Sequence, residues 1–236
     1  MSALCEAKEE RSGLLLIDKP RGVSSFHLVH RVRRLMGVQK VGHSGTLDPF
    51  ATGVMVLLVG REYTRLSNTF LNADKEYLAH LHLGISTDTY DSDGKVLSTS
   101  ALIPPTSSVI EALALFQGEI QQLPPMYSAK KVAGKRLYEL ARQGIEIERK
   151  PQTIRVTTSL VSYTYPDLIL HFHCSKGTYV RTLAHDLGLQ LGSLAHLKEL
   201  KRLRSGSFSL EECLPGHLLE EDSFNLLPYL RRNLDE

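Results

Sequence analysis

Hydrophobic residues along this chain recur with two periods, which predict alternating short helices and strands. The apolar positions 28, 29, 32 and 35 have helical spacing; Ser24 or Ser25 can cap this helix and Gly37 can end it. Further helices are predicted at 64–71, 104–118 and 178–191, and a short basic helix follows the proline-led loop that starts at Leu123. Strands are predicted at 14–17, 54–59, 75–84 and 168–174.

The strand KEYLAHLHLG alternates between apolar and polar residues. It places Tyr77, Ala79, Leu81 and Leu83 on one face, with Glu76, His80 and His82 on the other. This pattern predicts a strand with one solvent-facing side. An aromatic residue on the apolar face of a strand is usually part of the core, which is the first interpretation of Tyr77.

The composition indicates an ordinary globular protein. The 236 residues are 42% hydrophobic, which suits one or at most two domains. The N-terminus lacks a secretory pattern, and no apolar run approaches the roughly 20 residues that span a bilayer. Cys5, Cys174 and Cys213 are odd in number and far apart, so neither a disulfide framework nor a paired-cysteine zinc site is indicated. We expect a cytoplasmic protein that does not bind membranes.

The net charge of +2 conceals a strong asymmetry. Lys19–Arg65 contains eight Lys or Arg against two acids, and Pro125–Lys150 contains seven against three. Ser205–Glu236 is acidic, with two arginines against seven acids. Basic residues interleaved with aromatic ones suit a polyphosphate with stackable bases, although each region alone is also typical of a solvated surface.

Several ligand motifs are absent from the sequence or incomplete. Neither GxxxxGK[ST] nor GxGxxG occurs. DTYDSDG resembles a calcium loop, but Thr89 stands where its first Asp belongs and Ser100 where its bidentate Glu belongs. In HFHC, a strand would turn Cys174 away from His171 and His173, so zinc is disfavoured. We therefore predict no metal and no cofactor.

One carboxylate, Asp48, stands in the glycine-rich segment GHSGTLDPFATG at 42–53. Asp followed by Pro49 is common at a helix start, so a capping role is one interpretation. The following FATGVMVLLVG favours a strand instead, and Pro49 biases Asp48 toward extended geometry. The residues favour a functional carboxylate presented by a rigid loop.

A cation, Arg181, falls in the first turn of the helix predicted from Thr178, where the helix dipole disfavours positive charge. A compensating anion such as Asp48 would explain it. An arginine that extends to solvent would explain it equally well.

Five motifs occur in order along the chain: DKPRGVSS, GHSGTLDPFATG, DKEY, PPMYSAKKVAGKRLYELARQG and SKGTYVRTLAHDLG. Together they resemble the motifs of TruB-type tRNA pseudouridine-55 synthases, from Leu14 to Arg204. The resemblance implies the pseudouridine synthase fold, an α+β architecture with a mixed, mainly antiparallel central sheet flanked by helices. It also implies an isomerase that converts uridine 55 in the T-arm of tRNA to pseudouridine, by way of a flipped-out base.

The resemblance also implies roles for particular residues. Asp48 is the implied catalytic aspartate, and Tyr77 and Arg181 complete the implied active site. Contacts with flipped-out nucleotides are implied for His43, Tyr179 and Leu200. From the second basic region, we predict RNA-backbone contacts by Lys130, Lys131, Lys135 and Arg136.

The chemistry of this reaction suits a single acid. The N1–C1′ bond of uridine breaks, the uracil turns, and C5 bonds to C1′, so nothing is added overall. A glycosidase needs two carboxylates because it also brings in water. Here one carboxylate can act, either by attack on C1′ or by removal of a proton from the sugar. Arg181 would keep Asp48 ionised, and Tyr77 would stack on the uracil.

We expect residues 1–236 to form a single catalytic domain with a short acidic tail from about residue 205. About thirty residues follow Arg204, too few for the complete C-terminal PUA domain of many relatives. Since guide-RNA-dependent relatives rely on that domain, we expect a monomer that acts on tRNA without guide RNA. Two alternatives are a catalytically silent RNA-binding protein, which would not need Asp48, and a pseudouridine synthase for another RNA.

Overall fold

The computed structural model describes residues 11–132 and 134–232; Cys5 and the side chain of Lys131 lie outside the described part. The strands are β1 Gly13–Lys19, β2 Val41–His43, β3 Thr52–Val59, β4 Lys75–Leu83, β5 Ile85–Thr87, β6 Val96–Thr99, β7 Gly118–Gln122, β8 Lys131–Val132, β9 Lys135–Arg136, β10 Gln152–Thr164, β11 Asp167–Cys174, β12 Ala195–Ser205, β13 Phe208–Ser209 and β14 Leu214–Pro215. The helices are α1 Ser25–Met36, α2 Arg61–Arg65, α3 Ser67–Asn72, α4 Thr106–Ala114, α5 Leu137–Ala141 and α6 Val180–Gln190. Short 3-10 helices lie at Leu210–Glu212, Gly216–Glu220 and Leu227–Tyr229.

The chain divides into two compact units. The first contains the residues up to Glu76 and those from Lys201 onward, and the second is Tyr77–Leu200. Strands β4 and β12 each begin in one unit and end in the other.

The first unit is built on β1 and β3, which pair antiparallel from Gly13 opposite Val59 to Lys19 opposite Gly53. The central residues of both strands are almost fully buried, as expected for continuous apolar runs. Strand β2 pairs antiparallel with β3, β14 pairs parallel with β1, and the end of β12 pairs parallel with β3. These strands place the loop between β2 and β3 at the edge of a rigid core.

Helix α1 of the first unit begins and ends as predicted. The hydroxyl of Ser24 accepts a hydrogen bond from the His27 main-chain N–H and so caps the helix. Gly37 ends it with a left-handed φ of 65°.

The second unit contains the antiparallel strands β7, β10 and β11, with β4 beside β11. Alternate residues of β4 are buried, including Tyr77, which confirms the half-exposed strand. Hairpins β5–β6 and β8–β9 also belong to this unit.

Helix lengths differ from the prediction in two places. The predicted helix at 64–71 is two short helices, α2 and α3. The helix predicted at 104–118 ends at Ala114, because Gly118, with a φ of 76°, begins strand β7 against β10. The strand pairs are mixed and mainly antiparallel, as expected. Within the described residues, no helix has the length and apolarity needed to cross a bilayer.

Candidate active site

Asp48 lies in the loop between β2 and β3 of the first unit, with its side chain half-buried. The Ala51 N–H donates to the Asp48 carbonyl at 3.1 Å, which makes a turn, and β3 begins at Thr52. No helix follows, so the capping interpretation is wrong. As the sequence predicts, Asp48 lies in a loop and is followed by Pro49 and a buried strand.

Both neighbours of Asp48 are held through their main-chain groups. The Ser25 hydroxyl accepts from the Leu47 N–H and donates to the Leu47 carbonyl, each at 2.9 Å. The Pro49 carbonyl accepts from the Gly22 N–H at 2.8 Å and from Lys19 Nζ at 3.2 Å. The DKPRGVSS motif therefore contacts the loop on either side of Asp48.

Lys19, the last residue of β1, is a buried cation that contacts this loop. Its side chain also donates to the carbonyls of Pro20 at 3.0 Å and Val23 at 2.7 Å. Burial lowers the pKa of Lys19 to about 8, while the charge of Asp48 acts in the opposite direction. Hydrogen bonds to carbonyls compensate a buried cation, so Lys19 serves to join main-chain segments.

Arg202, at the end of β12, holds the other side of the loop. Its buried guanidinium donates to the carbonyls of Val54 at 2.6 Å and Gly45 at 3.3 Å. Gly53 lies opposite Arg202 with a φ of 103°, and a Cβ there would come within 2.2 Å of the Arg202 carbonyl oxygen. Only glycine fits at this position.

His43 ends β2, near the start of the same loop. Burial lowers the pKa of His43, the positive charge of Arg202 lowers it further, and a hydrogen bond with the main chain of Gly45 acts in the opposite direction. The shift favours the neutral imidazole at physiological pH, and the contact of His43 with a flipped-out nucleotide stays a prediction.

Arg181 belongs to the second unit, in the first turn of α6, and is 5% exposed. The solvent-directed alternative is therefore wrong. Its guanidinium lies 3.3 Å from the Asp91 carboxylate and donates to the carbonyls of Thr89 at 2.9 Å and Tyr127 at 2.6 Å. The anion that the helix position requires is present in Asp91, a residue that the sequence did not indicate. A pairing of Arg181 with Asp48 stays a prediction.

Asp91 is held by the loop that resembles a calcium motif. The Asp93 N–H donates to the Asp91 carboxylate at 3.1 Å, and the Thr87 hydroxyl donates to the Asp91 carbonyl at 2.7 Å. The adjacent Tyr90 stacks on His185, with ring centroids 3.9 Å apart. Since His185 lies one turn after Arg181 on α6, the loop and the helix are joined at two consecutive turns.

The remaining candidates are the predicted active-site residue Tyr77 and the predicted nucleotide contacts Tyr179 and Leu200, all in the second unit. Tyr77 is 8% and Leu200 7% exposed. Tyr179 precedes α6 and is fixed by Gln122, whose side chain accepts from the Tyr179 N–H at 2.8 Å and donates to its carbonyl at 3.0 Å. The contacts of all three with RNA stay predictions.

The basic residues of the second region lie around the β8–β9 hairpin. Lys135 and Arg136 are exposed, and Lys130 donates to the Gln152 side chain at 3.1 Å. The guanidinium groups of Arg136 and Arg142 lie 5.9 and 5.4 Å from the centre of the Tyr138 ring. This hairpin presents positive charge beside an aromatic ring, as RNA contact requires.

The first basic region offers fewer available cations than its charge suggests. Asp222, in the acidic C-terminal segment, accepts from Arg31 at 3.0 Å and from Arg34 at 2.8 Å. Glu220 of the same segment lies 2.8 Å from His27. The acidic segment thus neutralises part of α1 within the first unit.

Among the described residues, no group of three His, Cys, Asp or Glu side chains could hold a metal ion.

Comparison with known proteins identifies the family. The model of the TruB family pseudouridylate synthase N-terminal domain matches residues 33–180, and that of the tRNA pseudouridylate synthase B C-terminal domain matches 181–233. The tRNA pseudouridine synthase B of Chlamydia trachomatis serovar L2 is 57% identical over 225 residues, covering 95% of this chain and 93% of that protein. Its counterpart in Protochlamydia amoebophila is 60% identical over 204 residues, covering 86% of this chain and 78% of that one.

The fold is confirmed by a solved structure. A chain in the crystal structure of a Cbf5-Nop10-Gar1 complex matches with a TM-score of 0.69 at 30% identity, covering 92% of the present chain. The present chain spans 58% of the length of that chain. The resemblance seen in the motifs is confirmed, as is the pseudouridine synthase fold: this chain belongs to the TruB family of pseudouridylate synthases.

Proposed function

We propose that this protein isomerises uridine 55 in the T-arm of tRNA to pseudouridine, with Asp48 as the essential carboxylate. As a member of its family the protein is an isomerase of tRNA uridines. The observation that supports Asp48 is the way its loop is held, since both flanking residues are hydrogen-bonded through their main chain. A rigid loop with a half-buried acid is what a preorganised reaction centre requires.

The proposed reaction assigns one task to each group. Asp48 acts on the sugar, by attack on C1′ or by proton removal, and both routes remain open. Tyr77 stacks on the uracil while it turns, and Arg181 favours the ionised form of the acid. The roles of Tyr77 and Arg181 rest on the resemblance of their motifs to those of the family.

The partner is tRNA, gripped through its backbone while the target base leaves its stack. His43, Tyr179 and Leu200 would contact the displaced nucleotides. We propose that the protein works in the cytoplasm as a single catalytic domain and a monomer, without guide RNA, metal or cofactor.

The test of this function is incubation of the protein with an unmodified tRNA transcript, followed by base-resolved mapping of pseudouridine. We expect one new pseudouridine, at position 55. A transcript with cytidine at that position is the matched control. Modification at other uridines in place of 55 would favour a synthase for another site, and no pseudouridine at all would favour the silent RNA-binding alternative.

Replacing both Lys135 and Arg136 with alanine should weaken tRNA binding and flatten its salt dependence. Removing one cation that binds a phosphate reduces the slope of log affinity against log salt by roughly one, so we expect a change of one to two. Binding titrations over a range of salt concentrations measure this slope.

The double replacement of Arg31 and Arg34 with alanine is the matched control, because both arginines already bind Asp222. We expect its slope to equal that of the parent. An unchanged slope for the hairpin variant would mean that its cations are only solvated.

A further inference from the structure

Ser25, the first residue of α1, uses its hydroxyl in a way that helix formation does not need. The residue is 3% exposed, and its Oγ both donates to the Leu47 carbonyl and accepts from the Leu47 N–H, each at 2.9 Å. Capping of α1 is carried out by the neighbouring Ser24. The Ser25 hydroxyl is therefore committed to the loop, 22 residues away in sequence.

The geometry of these two bonds fixes the backbone next to Asp48. A strand partner normally satisfies the N–H and the carbonyl of one residue, and here one hydroxyl does so. The Leu47 carbonyl belongs to the peptide group that joins Leu47 to Asp48. The orientation of this group therefore sets the positions of the Asp48 N and Cα atoms. Leu47 is 3% exposed, which means that water cannot easily replace the hydroxyl.

The other side of Asp48 is fixed by the Gly22 N–H and Lys19 Nζ at the Pro49 carbonyl. The two sets of bonds come from one segment, residues 19–25, and leave the Asp48 backbone little freedom. The carboxylate position therefore depends on contacts that lie outside the reaction centre.

We propose that Ser25 is a positioning residue for the isomerisation, which acts by orienting the peptide group before Asp48. This inference rests on the proposed role of Asp48. Ser25 does not touch the substrate in this scheme. Its removal should slow the chemical step while tRNA binding is retained.

The test compares four variants by single-turnover kinetics with saturating enzyme, using tRNA that carries tritium at C5 of its uridines. Ser25→Ala leaves two buried main-chain groups without a partner and lets the Asp48 backbone shift, so we expect a roughly 10- to 100-fold lower rate. Affinity for tRNA should stay within about twofold of the parent, because no RNA contact is removed. Rates are compared below the melting temperature of each variant, with folding checked by circular dichroism.

Ser25→Cys keeps the shape of the side chain but forms weaker hydrogen bonds, so an intermediate rate is expected. Ser24→Ala is the matched control, because it removes the hydroxyl of the adjacent residue and a helix cap. We expect a lower melting temperature for Ser24→Ala, with a rate within about twofold of the parent.

The fourth variant, Asp48→Asn, separates this inference from the proposed function. If Asp48→Asn is inactive and Ser25→Ala reacts at the parent rate, the positioning role is refuted while Asp48 remains catalytic. If Asp48→Asn releases tritium, the proposed catalytic role of Asp48 is contradicted, and the positioning role of Ser25, which rests on it, is contradicted as well. If Ser25→Ala does not fold, Ser25→Cys decides: a parent-like rate refutes the role, and a reduced rate with unchanged affinity supports it.

Discussion

Asp48→Asn is expected to abolish isomerisation without preventing tRNA binding. The amide keeps the shape of the side chain but removes the charge, so it can neither attack C1′ nor take a proton. Because a carboxylate faces a polyanion, its neutralisation should leave affinity equal to or slightly better than that of the parent. The loop itself should persist, since its contacts with Ser25, Lys19 and Arg202 involve main-chain groups.

The measurement is tritium release from C5 of the target uridine, which accompanies formation of the new C–C bond. We expect no release above background at an enzyme concentration that saturates binding. Release near the parent rate would show that Asp48 is structural. A melting temperature close to that of the parent is the control that separates lost chemistry from lost folding.

Arg181→Lys is expected to cost about 100-fold in turnover, although the charge is conserved. The guanidinium serves Asp91, the Thr89 carbonyl and the Tyr127 carbonyl at once, whereas an ammonium group cannot reproduce this planar arrangement. Loss of these buried contacts should shift the side chain at position 181, and a misplacement of about 1 Å in an active site can cost about 100-fold in rate. The expected loss rests on the proposed role of Arg181 in the reaction.

Arg136→Lys is the matched control for this substitution, because Arg136 is exposed and its replacement also keeps the charge. With saturating tRNA, the Arg136→Lys variant should turn over at a rate close to that of the parent. If Arg181→Lys also turns over within about twofold of the parent, the proposed role of Arg181 in the reaction is contradicted.

The sequence predicted features that depend on local chemistry. Alternating polarity placed Tyr77 on the buried face of its strand, and Ser24 with Gly37 bounded the first helix. The β-forming residues after Pro49 indicated that Asp48 lies in a loop. Alternating polarity, capping residues and β-propensity each involve residues a few positions apart, so they can be read from the sequence.

The roles of Lys19, Ser25, Asp91 and Arg202 cannot be predicted from the sequence, because each depends on distant partners. Lys19 and Ser25 belong to the DKPRGVSS motif, but the sequence does not show which groups they or Arg202 bind, because every residue possesses main-chain groups. The charge pattern groups Lys19 with solvated cations, whereas its side chain is 0% exposed. The calcium-like pattern around Asp91 does not point to Arg181.

The bond from Arg202 to the Val54 carbonyl joins residues 148 positions apart in the chain. During translation the segment with Asp48 is therefore made long before the side chain that clamps it. At roughly 5–20 residues per second, synthesis of the intervening chain takes roughly 7–30 s. Until then the loop lacks Arg202, and Gly53 has no β12 neighbour. The contacts that hold the loop around Asp48 can therefore be completed only after β12 has been synthesised.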